Sequence, residues 1–289
     1  MNYRHGFHAG NFADVHKHAV FARILVHLAE KPAAFRVLDT HAGSGLYDLD
    51  GPEAARTGEW REGIARLNAA SLSPEAAALL EPYLAAVSAV RAANGPAAYP
   101  GSPLLARALL RRQDRLIACE YEPQVAAALA QALAVDRRVK VVAIDGWTAL
   151  SAYIPPKERR GMVLIDPPYE AVDEFERLPG RLAAACRKWP TGIFMLWYPI
   201  KDPAATSRLA DRLTATGIPK ILRSELVIGP AGAADAPRLH GSGLAIVNPP
   251  WRLADELAVM LPALAHLLAR GGHVAQPGAT RPDWLAGER

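Results

Sequence analysis

Two cysteines and the absence of long apolar runs set the first limits on this 289-residue chain. Cys119 and Cys186 lie inside apolar patterns and lack metal-ligand spacing, which excludes a disulfide framework and a cysteine-rich zinc site. No apolar run approaches the ~20 residues of a membrane-spanning helix, and residues 1–5 are not typical of a signal peptide. We therefore expect a reduced, cytoplasmic protein without a membrane partner.

The composition allows a large core and a mildly basic surface. Hydrophobic residues make up 51% of the chain, and the formal net charge is +4. The isoelectric point near 9.1 fits an anionic partner but does not require one. The length suits one large α/β domain with an insertion, or two small domains.

The first 30 residues combine histidines with basic and aromatic side chains. Tyr3, Arg4 and Lys17 lie here with five of the nine histidines, which are His5, His8, His16, His18 and His27. Asn11 is a candidate N-cap of the helix that follows. Metal centres need a closed set of ligands with carboxylate or thiol support, and only Asp14 accompanies these histidines. We therefore expect no metal site and favour a basic, aromatic arm that contacts a polyanion.

Three loops after predicted strands carry groups suited to a nucleotide-like ligand. Gly43 and Gly45 follow the first strand, where glycines let a ligand approach the backbone closely. Glu120 ends the second strand, the usual place for the partner of a ribose hydroxyl pair. Asp145 ends the third strand, where it can bind an adenine amine or cap the next helix, and both uses stay open. The glycine loop alone is a weak signal.

The most informative stretch is Asp166-Pro167-Pro168-Tyr169, directly after the apolar run 161–165. Proline has a fixed φ and no N–H, so the carbonyls there tend to point outward unpaired. The Asp166 carboxylate and the Pro167 carbonyl could accept both N–H donors of an exocyclic amine, while Tyr169 stacks on its ring. The motif favours methylation of a nucleobase amine, although Pro-Pro also marks ordinary turns after strands.

A second stretch, Asn248-Pro249-Pro250-Trp251, has the same polar-Pro-Pro-aromatic pattern. It follows the seventh predicted strand at the far edge of the sheet, and its asparagine carries no charge. Residues 166–169 instead end the fourth strand, next to the first strand and its glycine loop, at the expected switch point of a doubly wound sheet. We therefore interpret 248–251 as structural.

The periodicity of the whole chain predicts an α/β fold with a Rossmann-like, seven-stranded, mostly parallel sheet. The predicted strands are 35–39, 115–119, 139–144, 161–165, 192–197, 221–228 and 244–247, of which the last two form an antiparallel hairpin.

Helical periodicity at 59–69 and 75–90 predicts a small helical insertion subdomain, 50–99, between strands one and two. It could shape substrate access or only decorate the surface. The methyltransferase-like main domain then comprises 1–49 and 100–289, with an N-terminal arm and helix over 1–31 and a loose tail after 271.

Four features agree in their order along the chain: the glycine loop, Glu120, Asp145 and Asp-Pro-Pro-Tyr. In this order they resemble the Rossmann-like, S-adenosylmethionine-dependent class I methyltransferases that methylate amines. Longer motifs resemble one family, the bacterial 23S ribosomal RNA adenine-N6 methyltransferases of the J type. These motifs are 3–11, 14–18, 38–45, 99–104, 160–169 and 196–199. Residues 71–98 and the tail after 271 match the family only loosely.

The resemblance implies roles for individual residues. Besides Gly43 of the glycine loop, the implied contacts of S-adenosylmethionine are His18, His41, Ser102, Glu120, Asp145, Gly146 and Asp166. Asp166 is also the implied catalytic acceptor, together with Pro167 and Tyr169 of its motif. Tyr3, His5 and Lys17 are implied to act at the target nucleotide. No metal is implied, and S-adenosylhomocysteine is the product of the cofactor.

The chain is therefore expected to methylate the N6 amine of one adenine of 23S ribosomal RNA, on a base flipped from its stack. We expect a monomer that does not act on DNA. The alternatives with this motif type are an adenine or cytosine DNA methyltransferase and a protein glutamine methyltransferase, which usually has Asn in place of Asp166. Intact acids at Glu120, Asp145 and Asp166 disfavour an RNA-binding protein without catalysis.

Overall fold

The structure is a computed structural model that describes residues 4–67, 72–134, 136–170, 173–230, 239–271, 280 and 282–287. Within these ranges the helices are α1 (Phe12–Glu30), α2 (Pro52–Thr57), α3 (Pro74–Asn94), α4 (Ser102–Leu109), α5 (Pro123–Leu133), α6 (Gly146–Ala152), α7 (Glu174–Lys188), α8 (Pro203–Ala215) and α9 (Leu253–Leu268). The strands are β1 (Arg36–Asp39), β2 (Leu46–Asp48), β3 (Ala98–Pro100), β4 (Arg115–Glu120), β5 (Val139–Ala143), β6 (Gly161–Ile165), β7 (Ile193–Ile200), β8 (Ile221–Val227), β9 (Gly241–Val247) and β10 (Asp283–Ala286).

Eight of the described strands form one sheet in the order β10-β8-β9-β7-β6-β1-β4-β5. The strands from β5 to β7 are parallel, whereas β9 is antiparallel to β7 and β8, and β10 is antiparallel to β8. The chain runs outward from β1 to β5 and then returns to β6 on the other side of β1. The switch point therefore lies between β1 and β6, and the predicted fold class is confirmed.

The central strands are buried on both faces, which explains their continuous apolar sequences. Successive side chains of a strand point to opposite faces of the sheet. Val37 and Leu164 join the core formed with α1, α3, α4 and α9. Leu38 and Val163 join the core formed with α6, α7 and α8. Helices thus cover both faces of the sheet, so a ligand can reach the strands only at the edge where they end.

Helix α1 begins at the predicted N-cap and is a core helix. Asn11 Oδ1 accepts hydrogen bonds from the backbone N–H groups of Ala13 and Asp14, each at 2.9 Å. Its His16 is fully buried between the hydroxyls of Ser224 and Ser242, at 2.9 and 3.0 Å. Burial lowers the pKa of His16 to about 3, so the imidazole is neutral. The expectation of a basic arm is therefore wrong for α1, because most of this helix is buried.

The segment between β1 and β4 matches the predicted helices only in part. Helix α3 confirms the periodicity at 75–90, but two 3-10 turns, Glu59–Glu62 and Ile64–Arg66, replace the helix predicted at 59–69. Gly63 explains this difference, because a Cβ atom there would lie 2.0 Å from the carbonyl oxygen of Gly10. Close tertiary contact has overridden helical propensity. Residues 68–69 lie outside the described residues.

Helix α3 is the one helix of the described ranges that is long and apolar enough to cross a membrane by length and composition. It packs against α1, α4 and α9, and its Leu80, Tyr83 and Val87 belong to the main core. The strands β2 and β3, on either side of the insertion, form a short antiparallel ribbon that the sequence did not predict.

The strand β10 adds an eighth member to the predicted seven-stranded sheet. It pairs with β8, and the Arg223 guanidinium binds the Asp283 carboxylate through Nε at 2.8 Å and Nη2 at 2.6 Å. The expectation of a loose tail is therefore wrong for 283–286, while 272–279 lie outside the described residues. A strand of four residues with a half-exposed Trp284 has too short a pattern to be recognised from sequence.

Candidate active site

One cavity of about 1080 Å³ opens at the carboxyl ends of the parallel strands, beside the switch point. Pockets for one small molecule are typically about 300–1,000 Å³, so this space suits a cofactor together with part of a second ligand. Most of the predicted site residues line it, namely His5, Lys17, His18, His41, Gly43, Ser102, Glu120, Asp145, Gly146, Asp166 and Pro167. Tyr3 lies outside the described residues.

Asp166 follows β6 directly and is held by a buried lysine. Its Oδ2 lies 2.6 Å from Lys17 Nζ, which also lies 2.9 Å from Asp14 Oδ1. The Lys17 side chain is only 5% exposed, so it lies at the wall of the cavity and not on the outer surface. The two carboxylates use two of the three N–H donors of the ammonium, and the role of Lys17 at the target nucleotide stays a prediction.

Tyr169 packs against other aromatic side chains and is not among the residues that line the cavity. Its φ of +55° is left-handed, and its hydroxyl donates to the carbonyl of Trp197. The ring centroid lies 5.1 Å from that of Phe175 and 5.6 Å from that of Trp197. Tyr169 therefore belongs to an aromatic cluster behind the cavity, whereas Asp166 and Pro167 line the cavity itself. Its stacking on a base stays a prediction.

His41 is presented to the cavity in one defined tautomer. The Thr40 hydroxyl donates to the carbonyl of Leu164 at 2.9 Å, so its oxygen must accept from His41 Nδ1 at 2.8 Å. The proton therefore sits on Nδ1, and Nε2 is left as an acceptor. Burial lowers the pKa of His41 to about 4, which keeps the ring neutral. The Trp147 ring packs edge-on against it at 5.7 Å.

His18 is fixed by a chain of tyrosines. Its Nδ1 lies 2.9 Å from the Tyr99 hydroxyl, which lies 3.0 Å from the Tyr83 hydroxyl. All three side chains are buried, and burial lowers the pKa of His18 to about 3. His18 therefore reaches the cavity wall as a neutral group. Tyr83 comes from α3, so the predicted insertion supports the predicted cofactor site directly.

The acids at the ends of β4 and β5 brace the loops around them. Glu120 accepts from the backbone N–H of Gly43 at 2.9 Å and of Glu122 at 3.0 Å, which holds the glycine loop against β4. Asp145 Oδ2 caps α6 by accepting from the N–H and hydroxyl of Thr148 at 2.8 and 2.9 Å. Both carboxylates still line the cavity, since a carboxylate has about four acceptor positions. Capping and ligand binding by Asp145 are thus compatible.

Asp39, at the end of β1, lies behind the cavity wall. It is fully buried, and its Oδ2 accepts from Ser102 Oγ at 2.7 Å, while Oδ1 has no hydrogen-bond partner among the described residues. Burial raises the pKa of the Asp39 carboxyl to about 7, although the Ser102 hydrogen bond opposes the rise. Ser102 itself lines the cavity, so Asp39 orients a predicted cofactor ligand.

The second Pro-Pro stretch lies at the opposite edge of the sheet. Because β9 is antiparallel to β7, its carboxyl end is remote from the carboxyl end of β6. Asn248 Nδ2 donates to the carbonyls of Pro190 and Gly192, each at 2.8 Å, and so pins two loops together. Asn248 therefore has a structural role, as predicted. The expectation that the preceding strand lies at the far edge of the sheet is wrong, because β9 pairs with both β7 and β8.

The charges of the cavity are strongly unequal. Its lining contains two permanently charged bases, Arg4 and Lys17, and eight acids, which are Asp48, Glu53, Glu120, Glu122, Asp145, Asp166, Glu170 and Glu174. Such a lining attracts a cationic small molecule and fits the positively charged sulfonium of S-adenosylmethionine. Among the described residues no group of three or more His, Cys, Asp or Glu is arranged to hold a metal ion.

Several residues of the site could not be found from sequence. Tyr121 is exposed and Trp147 half-buried, and both line the cavity. Each directly follows a predicted site residue, and this adjacency is the only signal that could have found them. Asp14 does not line the cavity, yet it binds two residues that do, His5 and Lys17.

Comparison with known proteins finds relatives along the whole chain. The family model described as ribosomal RNA large subunit methyltransferase D, RlmJ, matches residues 32–285. The ribosomal RNA large subunit methyltransferase J of Escherichia coli (strain K12) is 40% identical over 288 residues and covers 100% of both chains. The protein of the same name from Haemophilus influenzae is 38% identical over 289 residues, again with 100% of both chains covered.

A solved structure is similar over almost the same length. Protein LPL1258 from Legionella pneumophila superposes with a TM-score of 0.80 at 32% sequence identity. The similarity covers 96% of this chain and 97% of that chain.

Proposed function

The chain belongs to the family described as ribosomal RNA large subunit methyltransferase D, RlmJ, and from this premise we propose that it methylates the N6 amine of one adenine of 23S ribosomal RNA. As a member of the family it is a ribosomal RNA methyltransferase. The target atom, the roles of individual residues and the absence of a metal from the reaction are part of the proposal.

The observation that carries the proposal is the position of Asp166 and Pro167. Both line a cavity at the switch point, where ligands bind in open α/β sheets. An amine placed there has two N–H donors, and the carboxylate and the proline carbonyl supply two acceptors. The carboxylate and the carbonyl together therefore suffice to bind both donors of a methyl-accepting amine.

The residues present fit S-adenosylmethionine. Glu120 suits a ribose hydroxyl pair and Asp145 an adenine amine, while His18, His41, Gly43, Ser102 and Gly146 complete the set that would hold the cofactor. When bound, the cofactor supplies an electrophilic methyl group on a positively charged sulfur. Burial keeps His18 and His41 neutral, so neither histidine would add positive charge to a site that holds a cationic cofactor.

The residues around the acceptor perform two tasks. Adenine N6 is a poor nucleophile, since its lone pair is delocalised into the ring. Hydrogen bonds from N6–H to the Asp166 carboxylate and the Pro167 carbonyl would draw that lone pair out of the ring plane and fix its direction, so positioning would supply much of the rate. Once methylated, the nitrogen is cationic and acidic, and Asp166 accepts its proton. The negative lining stabilises this developing positive charge.

The base must leave its stack to reach this cavity, at a cost of about a few kcal/mol. A looped or single-stranded adenine is therefore the proposed target. His5 lies at the cavity wall, next to the ring of Tyr47 at 5.0 Å, where it can contact the flipped nucleotide. We propose that the enzyme acts as a cytoplasmic monomer on RNA.

The direct test is to incubate the protein with methyl-labelled S-adenosylmethionine and three separate acceptors. These are deproteinised ribosomal RNA that lacks the modification, genomic DNA, and a protein extract. Each is digested to nucleosides or amino acids, so that the labelled product is identified chemically. Asp166→Ala serves as the control, because it removes the carboxylate that accepts from the substrate amine.

The expected result is label in N6-methyladenosine of the large-subunit RNA, absent with Asp166→Ala. Label in DNA, in N4-methylcytosine or in methylglutamine would overturn the substrate while keeping the chemistry. Label at another atom of the ribosomal RNA would overturn the adenine N6 target alone.

A further inference from the structure

Asp14 lies in the first turn of α1, where three polar groups converge on one carboxylate. Its Oδ2 lies 2.9 Å from His5 Nε2 and accepts from the backbone N–H of Gly10 at 2.9 Å. Its Oδ1 lies 2.9 Å from Lys17 Nζ. The side chain is 2% exposed and does not line the cavity, so Asp14 can act on a bound ligand only through its neighbours.

Two of those neighbours do line the cavity. A third lining residue, His18, has its Nε2 3.9 Å from Asp14 Oδ1, which is beyond hydrogen-bond distance, and its ring is held by Tyr99 instead. His5 lies at one wall, and Lys17 lies 2.6 Å from the oxygen of Asp166 that it binds. Asp14 thus connects the N-terminal turn His5–Phe7, the helix α1 and the acceptor carboxylate after β6. Residues that are far apart in sequence are held in one arrangement by a single buried carboxylate.

The charge balance of this cluster depends on Asp14. Burial alone would lower the pKa of Lys17, but Asp14 and Asp166 raise it above its ordinary value, so the ammonium keeps its proton. Burial would likewise raise the pKa of Asp14, but His5 and Lys17 hold it well below its usual range. The Lys17 ammonium is therefore shared by the carboxylates of Asp14 and Asp166.

Removal of the Asp14 charge would leave Lys17 with Asp166 as its only ion-pair partner in the described part of the chain. A buried ammonium without a second partner binds the remaining carboxylate more tightly. Asp166 would then accept less strongly from the amine of a substrate. His5 would at the same time lose the carboxylate that fixes its ring.

We propose that Asp14 is a positioning residue for methyl transfer. It shares the Lys17 ammonium with Asp166, so that one Asp166 oxygen stays available for the substrate amine, and it fixes His5 at the cavity wall. The proposal rests on the proposed function, since it assigns Asp166 as the acceptor. It assigns Asp14 a role in the rate of transfer and none in binding of the cofactor.

The experiment must distinguish a role of Asp14 in stability alone from its proposed role in methyl transfer. An acid in the first turn of a helix also stabilises the helix dipole, so loss of stability alone proves nothing. The test is therefore a double-mutant cycle on the rate, with Asp14→Asn, Lys17→Met and the double variant. Glu256→Gln is the matched control, because Glu256 also pairs with α1, through Arg23 at 2.6 Å and His27 at 3.0 Å, but does not line the cavity.

Single-turnover methylation of unmodified ribosomal RNA is measured at saturating cofactor, with cofactor affinity measured separately by calorimetry. Asp14→Asn is expected to slow transfer about 10- to 100-fold, the cost of a small misplacement of reacting groups, with unchanged cofactor affinity. In the Lys17→Met background the same change is expected to have little further effect. Glu256→Gln is expected to melt at a lower temperature and to transfer at the wild-type rate.

Three outcomes would overturn the role of Asp14. They are a wild-type transfer rate in Asp14→Asn, an equal loss of rate with and without Lys17, and a loss of cofactor binding in Asp14→Asn. Absence of RNA methylation in the wild-type chain would instead overturn the proposed function, and with it the assignment of Asp166 as acceptor.

Discussion

Gly146 lies so close to His41 that a Cβ atom at position 146 would be 2.7 Å from His41 Cε1 and 2.4 Å from the carbonyl oxygen of Thr40. No rotamer change can relieve the contact with the backbone oxygen. The first residue of α6 must therefore be glycine for His41 to hold its place at the cavity wall.

Gly146→Ala is expected to displace His41 and to weaken binding of S-adenosylmethionine by about tenfold or more, since about 1.4 kcal/mol of lost contact suffices for a factor of ten. Isothermal titration calorimetry measures the effect. Gly180→Ala is the matched control, because a Cβ atom at that position in α7 meets nothing within 4 Å. Removing a helical glycine there should raise stability slightly and leave cofactor affinity unchanged. Equal affinities of the two variants would contradict the role assigned to the close approach.

The acids at the strand ends could be predicted from sequence, because their order along the chain determines which edge of the sheet they share. The contact of Lys17 with Asp166 could not, since 149 positions separate the two residues and the contact depends on how α1 packs across the sheet. Local patterns also do not reveal that Tyr169 adopts a left-handed φ, which directs its ring toward Trp197. His18 and His41 were assigned by resemblance alone, and their neutral state follows only from burial.

Asp39→Asn is expected to stabilise the protein at neutral pH. The raised pKa means that the folded state holds the Asp39 proton up to about pH 7, whereas the unfolded chain releases it near the ordinary value of 3.8. The stability associated with the neutral carboxyl is therefore complete below about pH 4 and is lost as the pH rises to about 7. Asparagine keeps an oxygen for the Ser102 hydroxyl and never ionises.

Melting temperatures of wild type and Asp39→Asn, measured from pH 3 to pH 8, check this expectation. The variant should melt higher above neutral pH, by a few degrees at about 2–4 °C per kcal/mol in a large domain. The difference should shrink toward zero at the acid end. A difference that is constant with pH would show that Asp39 ionises normally in the folded state.

Glu59→Ala is expected to weaken use of the RNA substrate while leaving cofactor affinity intact. Glu59 Oε2 lies 3.0 Å from His8 Nδ1 and accepts from Asn11 Nδ2 at 2.9 Å. Through these contacts the segment 50–99, which we propose to be a subdomain, holds the N-terminal turn that carries His5. The KM for RNA should therefore rise several-fold, with little change in the calorimetric affinity for S-adenosylmethionine.

Glu62→Ala is the control for this experiment, because Glu62 belongs to the same 3-10 turn but pairs with Arg66 and Arg270. Its loss should affect stability without raising the KM for RNA. An equal rise of KM in both variants would show that the turn as a whole, and not its contact with the N-terminal residues, matters for RNA binding.

Asn248→Asp is expected to leave methyl transfer unchanged and to lower stability, although it creates a second Asp-Pro-Pro-aromatic stretch. The Asn248 amide donates to the carbonyls of Pro190 and Gly192, and a carboxylate in its place would face two acceptors. The loss of two hydrogen bonds, at about 0.5–1.5 kcal/mol each, together with this repulsion should lower the melting temperature by several degrees. The transfer rate should be unaffected, because β9 ends at the edge of the sheet opposite to the cavity.

Methylation assays and thermal unfolding measure the two effects. A slower transfer at unchanged stability would contradict the assignment of 166–169 as the acceptor motif, since the sequence pattern would then matter at the wrong edge.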